Sequence, residues 1–464
     1  MAEDFDLIVL GGGSAGYTAA IRAAQLGLKA VIVERERVGG VCLHKGCIPT
    51  KVMLEGADVL DLVKRAGALG VRAGEPQLDY PRLRQRQVQV VEQLYTNLRG
   101  VIAKKGIEVI EGSGCLTSAK SAVVTLADAS ERSLAGRQVL IATGSRPREL
   151  AAFPCDGVRV LNSDQLLAQE ELPESLVVVG GGAVGLEFAS FFLDAGREVT
   201  IVEALPRLLP AEDRDVSEGI ARALTARGAR VLTGATVSAA EVGEGGVVVS
   251  LQQGDDSLRL EASHVLVAVG RQGNVEGLGL ELTGARVEGG YLAVVPGQRT
   301  EDSSVFAAGD VTGGLLLAHV AAAEGFVAAE AVVGREVKPL DYVLAPRVVY
   351  SRPQMAAVGL TEEQALARGL AVRTRRFSFR NNSMAQIHGE TDGFAKLVYE
   401  QESGRLLGAH VLGAVASELL PEATLALSQG LGLSALAESV YAHPTLGETL
   451  HEAARLSAGV SMYW

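Results

Sequence analysis

Aliphatic runs that break at glycine recur along this chain, and two of them head the same four-part pattern. Phe5-Asp-Leu-Ile-Val-Leu10 is apolar enough for a strand covered on both faces, and it runs into Gly11-Gly-Gly13-Ser-Ala-Gly16. An apolar helix follows through Ala23 and Leu26, Gly27 stops it, and Ala30-Val-Ile-Val33 predicts a second strand ending at Glu34. The pattern returns as Leu176-Val-Val-Val179, Gly180-Gly-Gly182-Ala-Val-Gly185, a helix to Ala195 stopped by Gly196, and Val199-Thr-Ile-Val202 ending at Glu203. The acid follows the first glycine at the same separation in both copies. Residues 139–143 before Gly144 and 265–269 before Gly270 read as closing strands of the two units. Residues 305–308 lead through Gly309-Asp310 into a long alanine-rich helix. After Pro346, alternating strands such as 396–399 and 407–411 lie among helical stretches. The expected class is α/β: two Rossmann-like dinucleotide-binding domains, then a separate α+β domain.

One G-x-G-x-x-G does not by itself fix a nucleotide site. Here each copy has a strand before it, a helix after it and an acid at the end of the next strand. A generic strand–turn–helix crossover would not repeat all of this. The first glycine (Gly11, Gly180) makes the tight turn, and the second (Gly13, Gly182) lets backbone approach a pyrophosphate. The third (Gly16, Gly185) lets helix and strand pack closely, and the positive helix end faces the phosphates. Glu34 and Glu203 are placed to accept hydrogen bonds from ribose hydroxyls.

Between the two units lies Gly39-Gly-Val-Cys42-Leu-His-Lys-Gly-Cys47-Ile-Pro-Thr-Lys51. Thiols this close can form a small disulfide ring, and beside a redox cofactor such a ring can take up and release two electrons. The other readings are a zinc site or two unpaired thiols. No second Cys or His cluster has ligand spacing, which disfavours zinc. The chain has only four cysteines, so it is no disulfide scaffold, and Cys115 and Cys155 read as small core residues. The length suggests several domains. A net charge of −12 argues against nucleic acid or an anionic membrane as main partner. The start, Met1-Ala-Glu-Asp-Phe-Asp6, lacks the basic and apolar regions of a signal peptide. The longest apolar stretch, 315–333, is interrupted by His319, Glu324 and Glu330, which favours a buried helix over a membrane span. The expected location is the cytoplasm.

Two dinucleotide units, a cysteine pair and a late His443-Pro-Thr together resemble the flavin-dependent pyridine nucleotide–disulfide oxidoreductases. The likeness runs over essentially the whole chain. It rests on residues 39–51, 139–147, 178–187, 202–207, 307–310 and 317–319, and on Tyr441-Ala-His443-Pro-Thr-Leu-Gly-Glu448. It implies FAD on the first unit and NAD on the second. The implied domains are 1–147 for FAD, 148–271 for NAD, a central 272–342 returning to the FAD fold, and 343–464 for dimerisation.

The resemblance also implies roles. Glu34 would hold the FAD ribose, Asp310 the ribityl chain, and Gly114, Thr143, Gly144, Ser145, Leu317 and Ala318 would lie along the flavin. The helix from Leu317-Ala318-His319 would aim its positive end at the ring, with His319 the histidine nearest to it. Lys51 would sit by the flavin, paired with Glu187. Val237 and Gly270 would contact the nicotinamide nucleotide. Cys42 would be the thiol attacked in exchange, and Cys47 would lie against the flavin. His443 would be the base, oriented by Glu448 and supplied from the partner subunit of a homodimer. The implied reaction oxidises a protein-bound dihydrolipoyl group and reduces NAD. Its implied partner is a lipoyl domain of an acyltransferase or of a glycine-cleavage carrier. Glu203 favours NAD over a 2′-phosphorylated dinucleotide.

His44-Lys45 stand where relatives carry Asn-Val. This adds positive charge beside the thiols, or is a harmless surface change. Gln354 and Asn381-Asn-Ser-Met-Ala385 also depart from the family form, at places expected to lie away from the chemistry. His44, His264, His319, His388, His410 and His451 carry no motif like that of His443. Two other readings are a glutathione- or mercuric-type reductase and a non-catalytic docking or redox-sensing flavoprotein. The ending Ser461-Met-Tyr-Trp464, without a cysteine pair, disfavours the mercuric type.

Overall fold

The computed structural model describes residues 3–461. The reading of Met1-Ala2 and that of Met462-Tyr-Trp464 fall outside this range. Two compact units result: Met1–Val52 with Pro81–Arg148 and Gly270–Leu340, and Met53–Tyr80 with Glu149–Val269 and Asp341–Trp464.

In the first unit the strand Glu3–Leu10 lies between Ala30–Glu34 and Glu131–Ile141, all parallel, with Glu108–Glu111 beyond Ala30–Glu34. Residues 139–141 therefore end a strand beside the first one, at the sheet's centre. The strand Glu131–Ile141 changes neighbours along its far edge. Its start pairs with the antiparallel Ser121–Thr125, and its end with the parallel Val305–Ala307. Register places Leu10 opposite Val33 and Ile141, and Ile141 opposite Ala307. Four strand ends thus share one edge, and the segments after them emerge side by side, where open α/β sheets bind ligands. The helices Ser14–Gln25 and Ala318–Val332 pack closely because small residues line both. A Cβ at Gly325 would fall 2.2 Å from the Ala15 carbonyl oxygen. The helix Ala318–Val332 is buried on one side only, and Phe326 carries the Arg22 guanidinium 4.7 Å above its ring.

The second unit holds a parallel sheet ordered Arg230–Thr233, Glu198–Glu203, Ser175–Val179, His264–Val267, Val160–Leu161. Val179 aligns with both Val202 and Val267, so this sheet has the same glycine-loop edge. A second five-stranded sheet of this unit is antiparallel: Arg347–Val349, Gln354–Gly359, Leu406–Gly413, Phe394–Glu400, Val372–Ser378. Lys396 is buried in this unit and donates to Asp213 at 3.0 Å and Glu362 at 2.8 Å, with Asp215 at 2.9 Å. A buried ammonium is tolerable only when paired in this way.

Cys115 and Cys155 are half-buried and are not core residues. Cys115 lies on Ser113–Ser118, the last strand in the sheet order, and Cys155 packs at the margin of an apolar cluster. Among the described residues, no helix is long and apolar enough to cross a membrane.

Candidate active site

The three glycines of each loop meet different surroundings, and this tests whether dinucleotides fit. At Gly11 (φ +102°) a Cβ would lie 2.2 Å from the Ala142 carbonyl oxygen, and at Gly16 one would lie 1.9 Å from that of Gly11. Both positions are closed by backbone. At Gly13 the nearest atom would be the Gly40 Cα, 4.0 Å away. The second loop repeats this. Gly180 and Gly185 are blocked by carbonyl oxygens at 2.3 and 2.1 Å, and Gly182 meets nothing within 4 Å. Gly13 and Gly182 are also the N-caps of Ser14–Gln25 and Ala183–Asp194, and neither helix has a side-chain cap. First-turn N–H groups thus face open space, as a phosphate requires.

The acids fit as well. Glu34 accepts the Gly12 N–H at 2.6 Å and the Glu36 N–H at 2.8 Å, one on each oxygen. Glu203 accepts from Gly181 at 2.7 Å and Leu205 at 2.8 Å in the same way. These bonds aim each carboxylate at its loop, and carboxylate oxygens have lone pairs left for ribose hydroxyls.

Gly13→Ala and Gly16→Ala should therefore fail differently. Gly13→Ala is expected to fold normally and to purify with much less flavin. Gly16→Ala should be destabilised by about 3 kcal/mol or more, because backbone cannot make room. Thermal melts and the ratio of flavin to protein absorbance check both. Full flavin content in Gly13→Ala would refute the phosphate reading.

At the shared edge of the first unit, Ser145 donates to Asp310 Oδ2 at 2.5 Å, and Arg271 Nε donates to Ser145 Oγ at 2.7 Å. Thr143 and Asn274 exchange hydrogen bonds at 2.7 and 2.9 Å. The Gly309 N–H donates to the buried Glu324 at 2.7 Å. Asp310 and the 143–145 turn are thus braced by Arg271, Asn274 and Glu324, none of which carried a motif. For Glu324 the signal was a carboxylate inside an alanine-rich apolar helix. Gly144 and Gly270 open onto space, as a ligand contact would. Gly114 does not: a Cβ there would meet Leu10 and Val33 at 2.8 and 3.1 Å, so its glycine serves strand packing. Leu317 is the N-cap of Ala318–Val332, which begins with Ala318-His319 and has no side-chain cap. Val237 lies on Ala235–Gly243 of a three-stranded sheet. Glu187 is buried and accepts the Tyr350 N–H at 3.0 Å.

Cys42 sits on the short helix Gly40–Lys45, and Cys47 opens the helix Cys47–Arg65, with Lys51 one turn on. Both side chains are half-buried. The side-chain hydrogen bond with Cys47, then burial, pushes the Cys42 thiol far above the ordinary range, and Lys51 only opposes this. Cys47, at the positive end of a long helix, is the better seat for negative charge.

The charge added between the cysteines is spent elsewhere. Lys45 Nζ donates to Glu36 at 2.5 Å, and that bond lowers the Glu36 carboxyl. His44 Nε2 donates to the Val38 carbonyl at 2.9 Å, and its ring meets Tyr95 edge-on at 5.5 Å. Arg37 lies 3.9 Å over the same Tyr95 and grips Glu92 with two bonds of 2.6 and 2.7 Å. His44 and Lys45 thus stitch the thiol-bearing turn to residues 36–38 and to the helix Tyr80–Lys104.

In the second unit His443 Nδ1 donates to Glu448 Oε1 at 2.9 Å, and the Thr445 N–H donates to Glu448 Oε2 at 2.8 Å. Burial pushes the Glu448 carboxyl up, but the bonds from His443 and Thr445 outweigh it and hold the group below its ordinary range. The His443 side chain is 66% exposed, against 23% for Glu448, so the imidazole reaches outward from a fixed anion. The loop 441–447 has no helix or strand, and the His443–Pro444 peptide is cis. Side chains hold this loop. Tyr441 donates to Glu422 at 2.7 Å and stacks on His451 at 4.2 Å, and Asn382 Nδ2 donates to the Thr445 carbonyl at 2.9 Å. This corrects the expectation that the Asn381–Ala385 stretch lies away from the chemistry. Chain folding delivers the N-cap of Ser383–His388 to the base loop.

A family model described as "Pyridine nucleotide-disulphide oxidoreductase" matches residues 5–325, and the dimerisation-domain model of the same family matches 345–454. Proteins named dihydrolipoyl dehydrogenase from Chlorobaculum tepidum and Bacillus subtilis are 42% and 39% identical to this chain. They cover 98% and 100% of it, over 97% and 100% of their own lengths. The solved structure of LpdA from Mycobacterium tuberculosis superposes with a TM-score of 0.91 at 30% identity, over 97% of this chain and 99% of that one. The chain belongs to the pyridine nucleotide–disulphide oxidoreductases. It is an enzyme that uses FAD and NAD, and its dimerisation domain supports a homodimer.

Proposed function

We propose that this enzyme works as a dihydrolipoyl dehydrogenase, oxidising a protein-borne dihydrolipoyl group to the disulfide and reducing NAD to NADH. The observation that carries the proposal is the pair of cysteines, whose side chains are in hydrogen-bond contact at the junction of the helices Gly40–Lys45 and Cys47–Arg65. The full-length relatives that bear this enzyme's name support the substrate class.

His443 takes the proton of one substrate thiol. That sulfur attacks Cys42, the substrate–Cys42 bond forms, and the Cys42–Cys47 bond breaks with its electron pair on Cys47. The second substrate thiol attacks the first sulfur, closing the substrate disulfide, and Cys42 leaves carrying that thiol's proton. The dithiol has lost two electrons and two protons. One proton rests on His443, the other on Cys42, and the charge on Cys47. FAD, which the first glycine loop, Glu34 and Asp310 would hold, would supply the two-electron acceptor that lets the Cys42–Cys47 disulfide re-form, with NAD as the final hydride acceptor. In the homodimer, His443 of one protomer serves the cysteine pair of its partner. The donor is a lipoyl domain of an acyltransferase core or of a glycine-cleavage carrier, met in the cytoplasm.

The deciding assay compares dihydrolipoamide plus NAD with oxidised glutathione plus NADPH. Turnover is expected only in the first, because Glu203 would repel a 2′-phosphate. Turnover only in the second would overturn the proposal.

A further inference from the structure

We propose that Asn382 is a positioning residue for the base, acting through Thr445 and Glu448. This rests on the reading of His443 as that base. Asn382 is 3% exposed, and its amide faces two ways. Its Oδ1 accepts the Ala385 N–H at 3.0 Å and so caps the helix Ser383–His388. Its Nδ2 donates to the Thr445 carbonyl at 2.9 Å. Thr445 donates its own N–H to Glu448 Oε2, and Glu448 Oε1 accepts from His443. One chain of contacts thus runs from a helix cap to the imidazole.

The loop needs such a tether. Residues 441–447 have no ladder or helix to hold them, and His443 itself is exposed. Within its own chain the ring is held from its buried side, through Glu448. Tyr441 moors the start of the loop through Glu422 and His451, and Asn382 moors it just before Glu448. Without the Asn382 donor the Thr445 peptide can turn, Glu448 loses one of its two bonds, and the imidazole loses its fixed direction.

Asn382→Ser separates the two functions of the amide, because the serine oxygen still caps the helix but cannot reach Thr445. In the flavin-loaded homodimer, hydrogen exchange at the Thr445 amide should speed up while the Ala385 amide stays protected. The kcat for dihydrolipoamide oxidation should fall roughly ten- to a hundredfold at unchanged KM, as misplaced catalytic groups do. The titration of Glu448 should move to higher pH, because its carboxylate has lost a stabilising N–H. Wild-type exchange and an unmoved Glu448 titration would overturn the inference, as would loss of protection at both amides. If Asn382→Ser does not assemble, Asn382→Asp, which caps but cannot donate, should give the same three results. His443→Gln is run beside it. Wild-type turnover there would overturn the base reading and this inference together. Collapse there with a normal Asn382→Ser would overturn this inference alone.

Discussion

Cys42→Ser is expected to abolish dihydrolipoamide oxidation and leave the protein yellow. The reaction needs a sulfur at Cys42 both to receive the substrate sulfur and to leave it again. A serine oxygen can form neither bond, so turnover should drop by several orders of magnitude, as when a covalent nucleophile is deleted. The flavin should stay because the loops that fit a dinucleotide, and the braces around Asp310, do not depend on this side chain. Cys42 lies on a short helix of its own and is half-buried. Steady-state assays and the visible spectrum of the same preparation test both halves. Full activity in Cys42→Ser would remove the disulfide from the mechanism.

His443→Gln should lower kcat by about 10²–10⁴-fold, the usual worth of a positioned general base. Glutamine keeps the size and one hydrogen bond to Glu448 but cannot take a proton. The need for a base follows from the substrate, whose thiol must lose its proton before its sulfur can attack Cys42. The pH dependence has a sign. Glu448 is held below its ordinary value of 4.5, chiefly by His443 and Thr445 working against burial. A depressed carboxyl contributes stability above its unfolded value and loses it as pH falls through the folded one. The dyad should therefore stay assembled below the ordinary carboxylate range, and His443→Gln should move the acid transition of Glu448 upward. Titration of Glu448 in the two proteins checks this, and an unmoved transition would mean that the pair does not couple.

The fold was legible where a requirement is local. Gly11 and Gly16 must be glycine because backbone oxygens pass within 2.2 and 1.9 Å of where a Cβ would sit. The aliphatic runs before them can only be buried strands. The same logic does not reach the packing at Gly114, whose glycine makes room for Leu10 and Val33. Nothing in its neighbours along the chain announces that. It failed for Asn382, which looked like a departure from a family pattern and lies 63 positions from the carbonyl it holds. The added charge of Lys45 could not be weighed until Glu36 was found against it.

By itself the sequence determined the two glycine-loop units, the pairing of acid to loop, the thiol spacing and the His443-to-Glu448 motif, because each is set by groups a few residues or one supersecondary unit apart. Only the tertiary structure decided what steers those groups. The contact between Cys42 and Cys47, the tether from Asn382 to the base loop, the brace from Glu324 to Gly309 and the pairing of Lys45 with Glu36 all depend on distance and burial. Those quantities exist only once remote segments have packed.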